Sequence, residues 1–395
     1  MTDSSQNGGV ERTFFLNDPK VRAIIYQVVM VAIVVWAGWS IVDNTATNLN
    51  ERGIPFGFDF LTAPSGFGIN QSLIPYSESS TYGDVYWVGL INTLLVAVIG
   101  VFFATILGFL IGIARLSHNW LIARIATVYI EIIRNVPLLL QLFVWYFAVL
   151  RLLPAKREAL DLGPIGLLNI AGFYAPKPIF GANTWMVGVA ILIAIALGIG
   201  IRFWARRRQM ATGQQFPIGW TFIGLLIVLP LIAYFISGDP ITFEYPELAR
   251  FGPQGGIRVI PEFIGLLLAL TLYTAAFIAE IVRAGIMAVS HGQTEAAHAL
   301  GLRNGPTLRL VIVPQAMRVI IPPLTSQYLN LTKNSSLAVA IAYPDLVSTF
   351  TGTALNQTGR AVEIILMTML TYLAISLLTS AFMNWYNKRV ALVER

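Results

Sequence analysis

Two acid–base pairs and one lysine, all set in apolar surroundings, are the residues whose type and spacing could do chemistry in this chain. Glu131 and Arg134 stand three apart in YIEIIRN, and Glu280 and Arg283 stand three apart in IAEIVRA. A charge at the centre of a bilayer costs about 2.5–3.5 kcal/mol on insertion scales, so four unpaired charges would not be tolerated. Pairing across one helical turn, close to the interface, reduces that cost. The first reading of both pairs is therefore structural, holding the loop-side ends of their spans, with direct substrate contact as the alternative. Pro137 follows the first pair and should kink its helix there. Lys333 differs, because no acid lies within a turn and Asn330, Asn334, Ser335 and Ser336 surround it. Ionisable groups in membranes face a bundle interior or an aqueous cavity as a rule. Lys333 and Asn330 thus either pack against helix ends or line a translocation path. Thr93, Gln141 and Thr271 carry the same kind of choice, path or interhelical hydrogen bond.

Other chemistries are excluded by what the sequence lacks. No Gly-Lys pair occurs, so a phosphate-cradling GxxxxGK[ST] loop cannot form, and there is no HExxH. No span holds the pair of acids that an intramembrane aspartyl enzyme needs. Cysteine is absent, which removes disulfides and thiolate metal sites. The three histidines, His118, His291 and His298, lie in polar segments and read as solvated rather than as metal ligands. Catalytic and metal residues are therefore expected to be none. The pI near 9.5 reflects arginines gathered at span ends, which points to topology and away from nucleic acid.

These residues need long apolar elements to hold them, and the composition supplies them. Apolar residues make up 56% and charged residues 12%, the latter about half the share in an average soluble domain. A span needs about twenty apolar residues. Candidates run over 22–42, 89–114, 127–150, 185–201, 217–236, 261–286 and 361–384, with a more polar eighth near 324–345. The fold class expected is an all-α polytopic membrane protein with about eight transmembrane helices. The first span lacks a small-residue cleavage site and reads as a retained anchor. With the N-terminus inside, fifteen Lys/Arg fall on cytoplasmic segments and eight on outer ones, which favours cytoplasmic N- and C-termini. The run Arg206, Arg207, Arg208 decides the orientation of its own hairpin. Trp36, Trp39, Tyr86, Trp87 and Trp185 then fall at the outer boundary as an aromatic belt.

The organisation follows: a cytoplasmic N-tail (1–21), a first N-terminal helix (22–42), a loop on the outer side (43–85), a multi-span membrane domain (86–386) and a cytoplasmic C-tail (387–395). Within the domain, 151–260 reads as an insertion carrying two of the spans. Gly100, Ala104, Gly108 and Gly112 recur every fourth residue and mark one helix face for close packing.

One stretch between spans is too long for an ordinary connection. Residues 295–318, EAAHALGLRNGPTLRLVIVPQAMR, read as two short helices. Thr294 is a fitting N-cap, Glu295 suits the first turn, and Gly301 suits a left-handed C-terminal cap. Asn304, Gly305 and Pro306 make the turn between them. Ala296, Ala297 and Ala299 keep the first helix narrow enough to enter another protein's groove. An ordinary amphipathic loop remains the competing reading of the residues alone.

EAA, with Gly301 four residues after Ala297 and then Val311, Val313 and Pro314, resembles the EAA loop of binding-protein-dependent ABC importer permeases. PQAMR (314–318) with Pro322 and Pro323 is similar to their polar amino acid branch, as are TLYTAAFIAEIVRAGI (271–286), RNVPLLLQLFVWYF (134–147), GLINTLL (89–95) and LTKNSSLA (331–338). These blocks stand in the family's order and cover about half the chain. The length and layout look like the Q-type permeases of general L-amino acid transporters, the Aap/Bzt kind. Departures are Val313, where Leu is commoner, and TSQY (325–328) in place of an Asn-containing run.

The resemblance implies a type I ABC importer permease core with an extra N-terminal helix and an inserted hairpin, in the bacterial inner membrane. It implies a transport subunit that translocates L-amino acids and is not an enzyme. Its cytoplasmic EAA loop (287–323) would couple to the ATPase through Glu295, Ala296, Ala297, Gly301 and Pro314. No cofactor is expected on this chain, with ATP-Mg on a partner. The partners implied are an ATP-binding subunit dimer, a second homologous permease and a periplasmic amino-acid-binding protein, besides membrane lipid. An ion-coupled secondary transporter is the competing class, and the paired acids and long docking loop count against it.

Overall fold

The apolar runs become helices of 19 to 38 residues in the computed structural model, which describes residues 19–51, 53, 56–238 and 241–390. Seven of these helices are long and apolar enough to cross a bilayer, and there are eight spans where a bent pair counts as one. Helix α1 (Pro19–Glu51) has none of its apolar window buried, as befits a helix surrounded by lipid. Arg12, Arg52 and Arg395, which entered the charge count, lie outside the described residues, as do most of the N-tail and the end of the C-tail.

The segment after α1 has a definite structure where 43–85 reads in the sequence as plain loop. Ser65 and Tyr76 share a hydrogen bond of 2.8 Å, and Tyr76 donates to the Phe67 carbonyl. Burial holds the Tyr76 hydroxyl above its ordinary pKa, which keeps it a donor. Phe60 joins an apolar cluster with Tyr82, Leu346 and Phe350. At Thr81 the side chain accepts from the Asp84 amide while the Asp84 carboxylate accepts from the Thr81 amide. This capping box starts α2 (Tyr82–Arg115).

Helix α3 (Trp120–Asn135) and helix α4 (Leu138–Phe143) are the bent pair, and with the wide turns running on to Leu152 they make one broken span. The bend of 107° falls at Val136–Pro137. Proline lacks the N–H that would continue the ladder, and it forces the preceding residue out of helical geometry. Gln141 repairs the break: its Nε2 donates to the carbonyls of Ile133 and Val136 at 2.8 and 2.9 Å.

The insertion contains strands that sequence periodicity does not reveal. β1 (Leu160–Asp161), β2 (Leu167–Asn169), β3 (Gly172–Ala175) and β4 (Lys177–Phe180) precede α5 (Thr184–Thr212) and α6 (Ile218–Ile236). β5 (Ile241–Glu244), β6 (Glu247–Ala249), β7 (Gly252–Gln254) and β8 (Ile257–Val259) follow. The sheets are antiparallel: β1-β2-β3-β8, β4-β5 and β6-β7. Strands of two to four residues, set among Gly and Pro, are too short for a period-two pattern. The pairing of β3 with β8 ties both ends of the insertion together.

Helix α7 (Pro261–Met287) is the core of the molecule, with half of its apolar window buried. It packs on α2 at Gly108 and Gly112, which meet Ile278, Ala279 and Val282, while Gly100 farther along the same buried stripe faces Leu331 of α10. After it come α8 (His291–Ala299), α9 (Asn304–Thr307) and α10 (Val313–Asn334). The eighth span differs from expectation here. A continuous helical run extends from Asn304 to Ile341, so the second loop helix and the span expected near 324–345 are one element. Pro314 does not break it, because the widened turn Leu308–Ile312 absorbs the missing donor. The run ends where Ala342 takes φ 56°, the one left-handed non-glycine among the described residues. A wide-turned segment, Val347–Ala354, leads through α11 (Leu355–Thr358) to α12 (Ala361–Val390).

Candidate functional site

Helix α8 begins at His291, with Ser290 in the N-cap position, four residues before the expected start. Thr294 is therefore inside the helix. The C-terminus has the expected chemistry: Gly301 sits at φ +78°, its amide donates to the His298 carbonyl at 2.8 Å, and Leu302 donates to Ala297 at 3.1 Å. These two bonds are a Schellman cap, which satisfies the last carbonyls and turns the chain sharply. Glu295 is exposed and lies 3.0 Å from His291.

The orientation of the helix corrects one expectation. Ala297 is buried at 5% exposure and faces its own chain, so it is not available to a groove on another protein. The physical reason is the fold-back of the cap and of the next helix, where Gln315 reaches Gln293 at 3.3 Å. The open strip consists of Glu295, Ala296, Ala299 and Leu300, and Leu300 is 83% exposed. An apolar side chain so exposed on a segment between spans suits a protein contact better than water. Pro314 lies behind this strip, near the start of α10.

The charge pairs rearrange in the same way. Glu280 and Arg283 are in contact at 2.6 Å, and Arg115 from the end of α2 also binds Glu280. Glu131 does not meet Arg134; it meets Arg115 at 3.7 Å, while Arg134 lies 5.3 Å from the Phe277 ring centre. Arg115 is therefore shared between two acids on two helices. Its position in a polar connection hid it, because contacts between helices are invisible to a spacing of three.

The path candidates divide. Thr93 is buried, donates to the Gly89 carbonyl at 2.9 Å and accepts from the Leu346 amide at 3.1 Å, which is a structural knot. Gln141 is committed to the α3–α4 break. Thr271 is buried beside apolar Leu107 and Leu267, in a groove with no polar partner for its hydroxyl. Asn330 is exposed. Lys333 lines a cavity of about 440 Å³ with Ser336, Thr368, Tyr372 and Ser376. The Tyr372 hydroxyl has Thr93, Ser335 and Asp345 as polar neighbours, yet makes no hydrogen bond of good geometry. Asp345 Oδ2 is also buried and unpartnered, although Oδ1 accepts from the Ser348 amide at 2.8 Å. Unpaired polar atoms in a dry interior are costly, and these two lie behind the cavity wall; the charged group that faces the cavity is Lys333. The sequence did contain a signal: Thr368, Tyr372 and Ser376 recur every fourth residue on α12, a polar stripe on an apolar helix. A larger groove of about 620 Å³, walled by Leu90, Leu94, Leu370 and Leu378, has no charge to hold a zwitterion.

Residues 100–392 match the family of binding-protein-dependent transport system inner membrane components. The chain is 54% identical over 96% of its length, and 94% of the relative's, to the general L-amino acid transport system permease protein AapQ of Rhizobium johnstonii. It is 52% identical over 99% of its length, and the whole of the relative's, to the putative amino-acid ABC transporter permease protein YhdX of Escherichia coli. With the glutamate/glutamine/aspartate/asparagine transport system permease protein BztB of Rhodobacter capsulatus it shares 42% identity, covering 98% of both chains.

Proposed function

The chain belongs to the family of binding-protein-dependent transport system inner membrane components, and from that premise we propose that it carries L-amino acids inward as one permease subunit of an ATP-driven importer. Near-complete coverage at 54% identity to a general L-amino acid permease is the observation that carries the substrate class. The chain is a transport subunit and not a catalyst. ATP and Mg²⁺ are held by a partner ATPase dimer, a second homologous permease completes the path, and a periplasmic amino-acid-binding protein delivers the substrate. Helix α8 docks on the ATPase by its open strip, and ATP-driven movement of that helix passes directly into α10, because the helical run from Asn304 to Ile341 is continuous.

In the cavity, the Lys333 ammonium attracts the α-carboxylate of the passing amino acid. Ser336, Thr368, Tyr372 and Ser376 make the wall polar without a second charge that would select one side chain. Counterflow of labelled amino acids into proteoliposomes holding the complete assembly and ATP tests this reading. Lys333→Met is expected to lower uptake about 10- to 100-fold at normal membrane abundance, the scale of one hydrogen bond to a charged group. Lys333→Arg should keep part of the activity. Unchanged uptake in Lys333→Met would remove this cavity from the path, and uptake of another solute class alone would overturn the substrate reading.

Both termini lie in the cytoplasm in this reading, which rests on the Lys/Arg asymmetry of the connections. Engineered cysteines at Ser79 and Thr242 are expected to react with an impermeant thiol reagent from outside, and those at Ala211 and Asn304 are not. All four positions are exposed, so accessibility reads sidedness and not burial. Labelling of Asn304→Cys in sealed cells would place the α8 strip away from ATP and defeat the coupling scheme.

A further inference from the structure

At the junction of the insertion with the core, a cavity of about 250 Å³ is lined by Arg151, Lys156, Arg258, Tyr146, Ile170 and Glu262, among others. Three cations meet one acid there. Among the described residues none of the three cations forms an ion pair. Arg258 donates its Nε to the Ala171 carbonyl at 2.9 Å, which fixes its stem at the cavity wall. Arg151 lies over the Phe147 ring at 5.7 Å. Glu262, in the same lining, accepts from the Tyr146 hydroxyl at 2.9 Å. With three cations against this one acid, the cavity keeps a net positive charge.

Apolar side chains stand open beside these charges: Ile170 in the lining is 39% exposed, and Leu152, next to Arg151 in the chain, is 84% exposed. A solvated loop gains nothing from such exposure, whereas a surface at the membrane boundary does. The cavity stands at the first turn of α7, where the apolar span begins. A basic hollow beside open apolar side chains at that depth matches an amphiphile with an anionic head. The positive-inside rule disfavours cations on the outer side, which makes a gathering of them there more telling.

We propose that this cavity binds the headgroup of an anionic phospholipid, with its phosphodiester among Arg151, Lys156 and Arg258 and its acyl chains leaving past Ile170 and Leu152. The inserted strands then have a role: they close a lipid site onto the end of α7. The cavity faces outward under the orientation proposed above, but the lipid readout does not depend on that orientation.

Native mass spectrometry of the full chain, in its assembly and after detergent exchange, tests the site with phosphatidylglycerol, phosphatidylcholine and inorganic phosphate as probes. Phosphatidylglycerol is expected to stay bound in preference to phosphatidylcholine, and to resist millimolar inorganic phosphate. Lys156→Gln should weaken its retention about five-fold, the effect of one basic residue facing an anionic surface. Arg250→Gln, on the same module but off the cavity, should leave retention unchanged. If Lys156→Gln fails to fold, Arg151→Gln serves, since the Arg151 side chain is exposed and lies against the Phe147 ring. Equal retention in wild type and cavity variants, or equal retention of phosphatidylcholine, overturns the proposal. Displacement by inorganic phosphate also overturns it, and identifies a site for a free small anion instead.

Discussion

Gly108→Leu is expected to destabilise the membrane core strongly, whereas Gly188→Leu leaves it intact. A β-carbon on Gly108 would stand 2.6 Å from Cβ and Cγ2 of Ile278 and 3.0 Å from the Ala275 carbonyl oxygen. Real carbons do not approach so closely, and Ile278 is fully buried with no room to yield. The two helices must therefore separate. Without water there is no hydrophobic drive to push helices together, so close backbone approach supplies the packing between them. Overpacking in cores costs about 1–3 kcal/mol for added methylenes, and a whole isobutyl group at a helix crossing stands at or beyond the top of that range. Gly188 on α5 has nothing within 4 Å of its β-carbon and serves as the control. Thermal unfolding in detergent should show a large fall in Tm for Gly108→Leu and little change for Gly188→Leu. Equal stability of the two variants would mean that α2 and α7 are not in contact as described.

That contact is the part of the fold most legible in the sequence. Gly100, Ala104, Gly108 and Gly112 state one face of one helix, and a step of four residues needs no partner to be read. The spans were legible for a similar reason, since bilayer thickness dictates the length of an apolar run. Legibility ended wherever a second element decides. Arg115 takes Glu131 away from Arg134 because α2 ends beside α3, a fact of tertiary structure. Thr93 and Gln141 are polar residues in apolar helices, and only their partners show that each is consumed in holding a bend or a turn. Lys333 drew notice by lacking an acid, and the structure sets it in a cavity with α12. Asp345 and Tyr372 escaped notice because an acid near a span end and a tyrosine in a span are both ordinary. Their lack of hydrogen-bond partners is what distinguishes them. The strands of the insertion were hidden by brevity.

Leu300→Asp is expected to leave membrane abundance normal and to bring ATP-driven uptake close to zero. The side chain is 83% exposed, so the chain by itself loses almost nothing when the leucine is replaced. Buried in a partner's groove, the same leucine contributes about 1.5–3 kcal/mol, and an unpaired carboxylate there adds a desolvation penalty. Together these weaken docking by a factor of at least about ten. Gly301→Val acts differently. Its φ of +78° disfavours any residue with a β-carbon by about 1–2 kcal/mol, and open space around the position leaves the backbone as the sole cause. The cap that turns α8 toward Asn304 is then lost, so the strip is presented at the wrong angle even with Leu300 in place. Ala297→Trp should damage the loop itself, because Ala297 packs inside it, and should raise protease sensitivity before any partner is present. Co-purification of the ATPase, measured beside uptake, separates the three: retention falls for Leu300→Asp while the loop stays protease-resistant. Wild-type uptake in Leu300→Asp would show that the exposed strip of α8 carries no coupling. In that case the force must enter α10 by another surface.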